Sequence, residues 1–142
     1  EGRTSYYEHE TGTDQNRNGT ITAITANILS GDFDITQRIA RGATTGTADL
    51  RGDGEFLMKI RRFIPDFISQ TGDTRITLNL RNFPNDTAAS SSLGPFDITT
   101  STQKIDTRAR ARAIALKVEN ISTSQNWKLG TFRLDIQPDG RR

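Results

Sequence analysis

At 142 residues and with no cysteine, the chain is long enough for one domain with its own core, and neither a disulfide framework nor a thiolate metal site is open to it. Hydrophobic residues make up 32%, a low share for a globular domain, which fits a thin β-rich body or a piece of a larger assembly. Nineteen cations, fifteen of them arginine, stand against seventeen acids; the net charge of +2 argues against a purely electrostatic nucleic-acid binder.

Apolar residues at helical spacing are scarce, and β-branched residues recur throughout. The chain is therefore expected to be all-β, with antiparallel sheets arranged as β-propeller blades or a β-sandwich. Thr4 to Glu8 reads as a short aromatic strand. Thr20 to Leu29 alternates imperfectly through Ile21, Ile24 and Ile28. Gly31 and Asp32 turn the chain into Phe33-Asp34-Ile35-Thr36, and the glycine- and threonine-rich stretch from Gly42 to Gly54 reads as a loop.

Phe56, Met58 and Ile60 form the apolar side of the next strand, which runs on to Phe63 and Ile64. Pro65 interrupts it, and Asp66 to Ser69 is expected to make one helical turn. Gly72-Asp73 signals a turn into Arg75 to Leu80, where Ile76, Leu78 and Leu80 share a side. Pro84-Asn85-Asp86 and Ser90-Ser91-Ser92 read as a polar loop before Phe96 to Thr100 resumes the sheet.

The last third is the most regular. Arg108, Arg110 and Arg112 alternate with Ala109, Ala111 and Ala113, and Ile114, Leu116 and Val118 continue on the arginine parity. From Trp127 to Ile136 the apolar parity switches across Gly130, as a β-bulge requires. Pro138-Asp139-Gly140 reads as a closing turn. Gly31-Asp32-Phe33-Asp34-Ile35-Thr36 is echoed by Gly94-Pro95-Phe96-Asp97-Ile98-Thr99. One domain spanning 1–142 is expected, with a candidate two-unit repeat over about 20–86 and 87–140.

Catalytic signals are weak. His9 is the single histidine, so a Ser-His-Asp triad has one candidate centre. No glycine-flanked serine elbow or phosphate-cradling Gly-Lys-Ser/Thr loop occurs, and no enzymatic activity or cofactor is expected. Asp14, Asn16 and Asn18 before Gly19 match the first half of a calcium loop. Thr25 stands where the bidentate glutamate belongs, and Asx hydrogen bonding in a turn explains the same residues. The arginines at 108, 110 and 112 project from one face of a strand. As candidate interface or lumen contacts they suit phosphates, a neighbouring subunit, or acids such as Asp97, Asp106 and Asp135 on adjacent strands, and structural pairing is the safer reading. Trp127 suits a core anchor better than an interface hot spot, and Arg133 joins the candidate contact residues.

Three stretches resemble the C-terminal region of virion proteins from short-tailed bacteriophages. They are Phe63-Ile64-Pro65-Asp66-Phe67, then Gly94-Pro95-Phe96 leading to Asp106-Thr107-Arg108-Ala109-Arg110-Ala111-Arg112, then Trp127 to Gly140. Tyr7-Glu8-His9-Glu10 is similar to the approach to that region. The relatives in question are tail hub or nozzle proteins, including packaged-DNA stabilisation proteins. The resemblance implies a β-rich, often propeller-like virion subunit repeated around the tail axis. Its partners would be copies of itself in a ring or tube, other tail proteins and, transiently, viral DNA. Such proteins are longer, and Glu1 is not methionine, so a terminal part or a processed segment is expected. No catalytic residues come with the family. The alternative is a carbohydrate- or receptor-binding β-sandwich, with Tyr6, Tyr7 and Trp127 as a stacking platform.

Overall fold

The computed structural model describes residues 12–35, 56–83, 89 and 91–140. Among these the chain is all-β, with eleven strands and every strand pair antiparallel. They are β1 (Asp14–Arg17), β2 (Thr20–Ala23), β3 (Asn27–Leu29), β4 (Met58–Ile64), β5 (Phe67–Thr71) and β6 (Thr74–Arg81). The remaining five are β7 (Ser91–Ile98), β8 (Ile105–Ala111), β9 (Ala113–Asn120), β10 (Asn126–Leu129) and β11 (Arg133–Pro138).

The two larger sheets run β11-β4-β8 and β3-β9-β6-β7, and two-stranded pairs β1-β2 and β10-β5 complete the set. The order β3-β9-β6-β7 is not the sequential up-and-down order of a propeller blade. In β6 every second side chain (Thr74, Ile76, Leu78, Leu80) is buried. Ile76, Leu78 and Leu80 stand opposite Val118, Leu116 and Ile114 of β9. Met58, Ile60, Phe63, Ala111 and Leu134 from the three-stranded sheet join the same hydrophobic cluster. The inward faces of the two sheets thus share one core, as in a sandwich.

One continuous stretch links the sheets. Strand β8 pairs with β4, and β9 pairs with β6, with Arg112 between them. The handover reverses the meaning of parity. Even-numbered Asp106, Arg108 and Arg110 face out, whereas even-numbered Ile114, Leu116 and Val118 are buried. The bend at Arg112, where the strand changes sheets, shifts the inward parity by one residue.

A second corner lies opposite. The chain passes from β4 to β5 at Pro65-Asp66, and from β10 to β11 around Gly130. Strand β10 pairs with β5, and β11 pairs with β4. The parity switch at Gly130 is therefore a change of partner strand and not a bulge. The register shifts fall instead between Lys128 and Leu129 and between Asp135 and Ile136. The helical turn expected over 66–69 is absent: Phe67 to Thr71 is β5, held extended by its pairing with Asn126 to Leu129. Ser91 and Ser92 open β7 instead of lying in a loop, since they pair with Leu80 and Asn79. Asp139 does not turn the chain back either; its amide donates to Leu57 O at 2.7 Å, prolonging the β11-β4 ladder.

Strands from 20–86 and from 87–140 interleave in both larger sheets. The two copies of the Gly-x-Phe-Asp-Ile-Thr echo diverge in place. Phe33 forms a lone bridge to Ile114, whereas Phe96 lies in β7 opposite Ile76. The strand expected over Thr4 to Glu8, the loop from Gly42 to Gly54 and the Pro84-Asn85-Asp86 turn lie outside the described residues.

Candidate interaction surface

Among the described residues, the outward side of the β11-β4-β8 sheet gathers the most cations. In β8, Ile105, Thr107, Ala109 and Ala111 turn inward, which leaves Asp106, Arg108 and Arg110 outside. In β11, Leu134 and Ile136 turn inward, which leaves Arg133, Asp135 and Gln137 outside. Strand β4 lies between them, with Met58, Ile60 and Phe63 buried. A register shift between Ile60 and Arg62 puts neighbouring Arg61 and Arg62 both toward the outside and returns Phe63 to the core. Lys59 stands between Arg110 and Gln137.

Part of this charge is internally matched. Arg62 crosses between two acids, with its Nε 2.8 Å from Asp106 Oδ1 and its Nη1 3.7 Å from Asp135 Oδ2. Lys104 Nζ approaches the other oxygen of Asp106 at 3.1 Å. The hydrogen bond from Arg62, joined by one from Lys104, holds the Asp106 carboxyl below the usual carboxylate range. Arg110 grips Asp139 twice, Nε to the carboxylate at 2.6 Å and Nη2 to the backbone carbonyl at 2.9 Å. Among the described residues Lys59, Arg61, Arg108 and Arg133 make no ion pair.

Of the residues singled out from the sequence, Arg108, Arg110 and Arg133 meet on this face. Arg112 does not: it sits at the β8-β9 junction, half-buried, and its amide donates to Arg81 O at 3.0 Å. The acid partners also differ from the expectation. Asp97 pairs with Arg75 at 2.7 Å, and Asp106 and Asp135 belong to Arg62. Lys59, Arg61 and Arg62 escaped the sequence reading, although Lys59 and Arg61 alternate with Met58 and Ile60 as plainly as the arginines of β8 alternate with alanine.

Trp127 lies elsewhere. It is half-buried, meets Phe67 edge-on with ring centroids 6.4 Å apart, and gives its indole N–H to Asn120 Oδ1. A ring so engaged is a partly buried anchor packed against the core. Tyr6, Tyr7 and His9 lie outside the described residues.

The calcium-loop residues form a β-hairpin. Asn18 and Gly19 both have positive φ, 53° and 82°, as a type I′ turn demands. Asn16 Oδ1 accepts from Gly19 N at 3.1 Å. The Asp14 carboxylate accepts from Ser124 N at 2.7 and 2.8 Å. These oxygens are engaged by the turn and by the docking of the hairpin. No group of three or more His, Cys, Asp or Glu side chains suited to a metal occurs among the described residues. No helix among them is long and apolar enough to cross a membrane.

No protein-family model matches the chain, and no curated protein is similar enough to register as a match.

Proposed function

We propose that the chain is a structural component of a short-tailed phage tail, of the hub or nozzle type, that works by packing against copies of itself and other tail proteins around the DNA exit path. The observation that carries this reading is apolar surface left uncovered on the first elements. Ile21, Ile24, Ile28 and Leu29 are 60, 47, 49 and 59% exposed. Ile28 and Leu29 lie in β3, an edge strand of the four-stranded sheet. Among the described residues no strand pairs with that outer edge, and an unpaired edge carrying aliphatic side chains is a natural template for a neighbouring chain. The resemblance of three stretches to tail proteins supports the proposed biological class and virion location. Negative-stain imaging with mass photometry of the purified chain tests the reading. Rings, tubes or defined oligomers support it, and a monomer at every concentration overturns it.

A carbohydrate- or receptor-binding module is the second reading. It draws on an open cleft of about 330 Å³ beside β5, lined in part by Asp66, Ser69, Thr99, Thr100 and Thr102. Such hydroxyl and carboxylate groups suit a sugar's hydrogen-bonding edge. A glycan-array screen tests it, and absence of any hit removes it.

A further inference from the structure

We propose that the outward face of the β11-β4-β8 sheet binds the phosphodiester backbone of duplex nucleic acid without regard to sequence. The inference rests on the tail reading for where the duplex is met, and it names the face that meets it.

Charge segregation is the first argument. The face and its margins, Lys104 and Asp139, hold seven cations against three carboxylates, while the whole chain holds nineteen against seventeen. Among the described residues, the rest of the chain holds six cations against seven acids. A net charge near zero thus conceals a basic plate on one side of the body. Such a plate draws a polyanion to one orientation, which a uniformly basic protein does not do.

The kind of cation is the second argument. Five of the seven are arginine, whose planar fork matches phosphate oxygens. Arg108 and Arg110 are two residues apart on one strand, hence about 7 Å apart on the same side. Arg61, on the neighbouring strand, adds a third fork. Among the described residues Arg61, Arg108, Arg133 and Lys59 have no acid of their own, so a phosphate displaces no internal pair when it meets them.

What the face lacks fixes the class of partner. No aromatic side chain faces outward from these three strands; their single ring, Phe63, is 1% exposed. Recognition of single strands relies on bases stacked upon aromatic rings. Protein interfaces centre on buried aromatic or aliphatic anchors. A cationic, ring-free sheet face offers its forks to backbone phosphates and no readout of bases.

The test is fluorescence anisotropy with a labelled mixed-sequence DNA duplex over a range of salt, with mass photometry on the same samples. The whole chain is expected to bind at low salt and to weaken steeply as salt rises. The double variant Arg61→Glu/Arg108→Glu is expected to weaken affinity at least about ten-fold and to flatten the log–log salt slope by about one for each phosphate no longer neutralised. Lys128→Glu, on β10 away from the face, is expected to stay within about two-fold. Should the double variant fail to fold by circular dichroism, Arg108→Gln serves in its place, with an expected weakening of about three-fold. The proposal is overturned if the wild-type chain ignores the duplex at low salt, if Lys128→Glu weakens binding equally, or if a single strand or poly-glutamate competes as well as the duplex. Oligomers that ignore DNA would sink this inference and leave the tail reading standing; a DNA-binding monomer would do the reverse.

Discussion

The amide of Gly130 donates to the carbonyl of Asp66 at 2.7 Å, which ties the corner between β10 and β11 to the corner between β4 and β5. The two paired strands therefore bend at the same place. A methyl group on Gly130 would stand 3.0 Å from the Asp66 carbonyl oxygen and 3.2 Å from its carboxylate. Both approaches are tighter than ordinary packing, and the first is to backbone. Gly130→Ala is expected to destabilise the fold by about 1–3 kcal/mol, the cost of overpacking a close approach. Urea unfolding measures it, and an unshifted midpoint would show that the corner yields freely.

Two exposed arginine–aspartate pairs make a small contribution to the acid limb of the stability profile. Asp97 is held below the usual carboxylate range by the hydrogen bond from Arg75, and Asp106 by those from Arg62 and Lys104. A carboxyl with a lowered folded-state pKa binds protons more weakly than it does when unfolded. Its contribution is whole above the unfolded value of 3.8 and drains away as pH falls through the lower folded value. Thermal stability is expected to change little from these groups between about pH 7 and pH 5 and to decline below about pH 4. Both pairs are exposed, so the effect is small and shrinks at high salt. NMR titration checks the assignment: Arg62→Gln should raise the Asp106 pKa and leave Asp97 unchanged, and Arg75→Gln should do the reverse.

The sequence announces its strands better than their partners. Alternation in Thr74 to Arg81 predicts both the strand and its buried side, because one sheet holds all of β6. The same rule misleads across Arg112. Arg108 and Leu116 share parity, yet one faces water and the other is buried. Periodicity encodes which side a residue takes within a strand, and it is silent on which sheet that strand joins. Gly130 marks a parity change that the sequence shows, while the cause lies in long-range pairing with β5 and β4. The basic face was legible in halves. The β8 arginines stand out because alanine separates them. Lys59, Arg61 and Arg62 do not, because the apolar side of β4 dominates the same stretch. Pairings such as Arg62 with Asp106, 44 residues apart, depend on register and carry no local signal.

Asp14 offers a check on the hairpin. Its carboxylate reaches across to the backbone amide and hydroxyl of Ser124, at 2.7 and 3.2 Å for the nearest approaches. The loop that presents Ser124 is itself braced by buried Gln125, whose Oε1 accepts from Ile121 N at 2.7 Å and Ser122 N at 2.9 Å. Asp14→Ala is expected to cost about 1 kcal/mol, the net worth of a hydrogen bond at an exposed site. Millimolar calcium is expected to leave the wild-type melting temperature where it is. An upward shift abolished by Asp14→Ala would restore the metal reading.

Leu78 and Leu29 separate folding from assembly. Leu78 is fully buried in β6 opposite Leu116, whereas Leu29 is 59% exposed in edge strand β3 opposite Lys117. Leu78→Ala is expected to cost about 2–5 kcal/mol, since it leaves a cavity in a packed core. Leu29→Lys removes little buried surface, so its effect on the isolated fold should stay within about 0.5 kcal/mol. Its effect on association should be large, because a lysine on an edge strand opposes sheet-to-sheet growth. Unfolding curves for both variants, read beside mass photometry, give the test. Full stability together with absent oligomers for Leu29→Lys places the assembly surface at β3. Oligomers that persist unchanged move it to another part of the molecule.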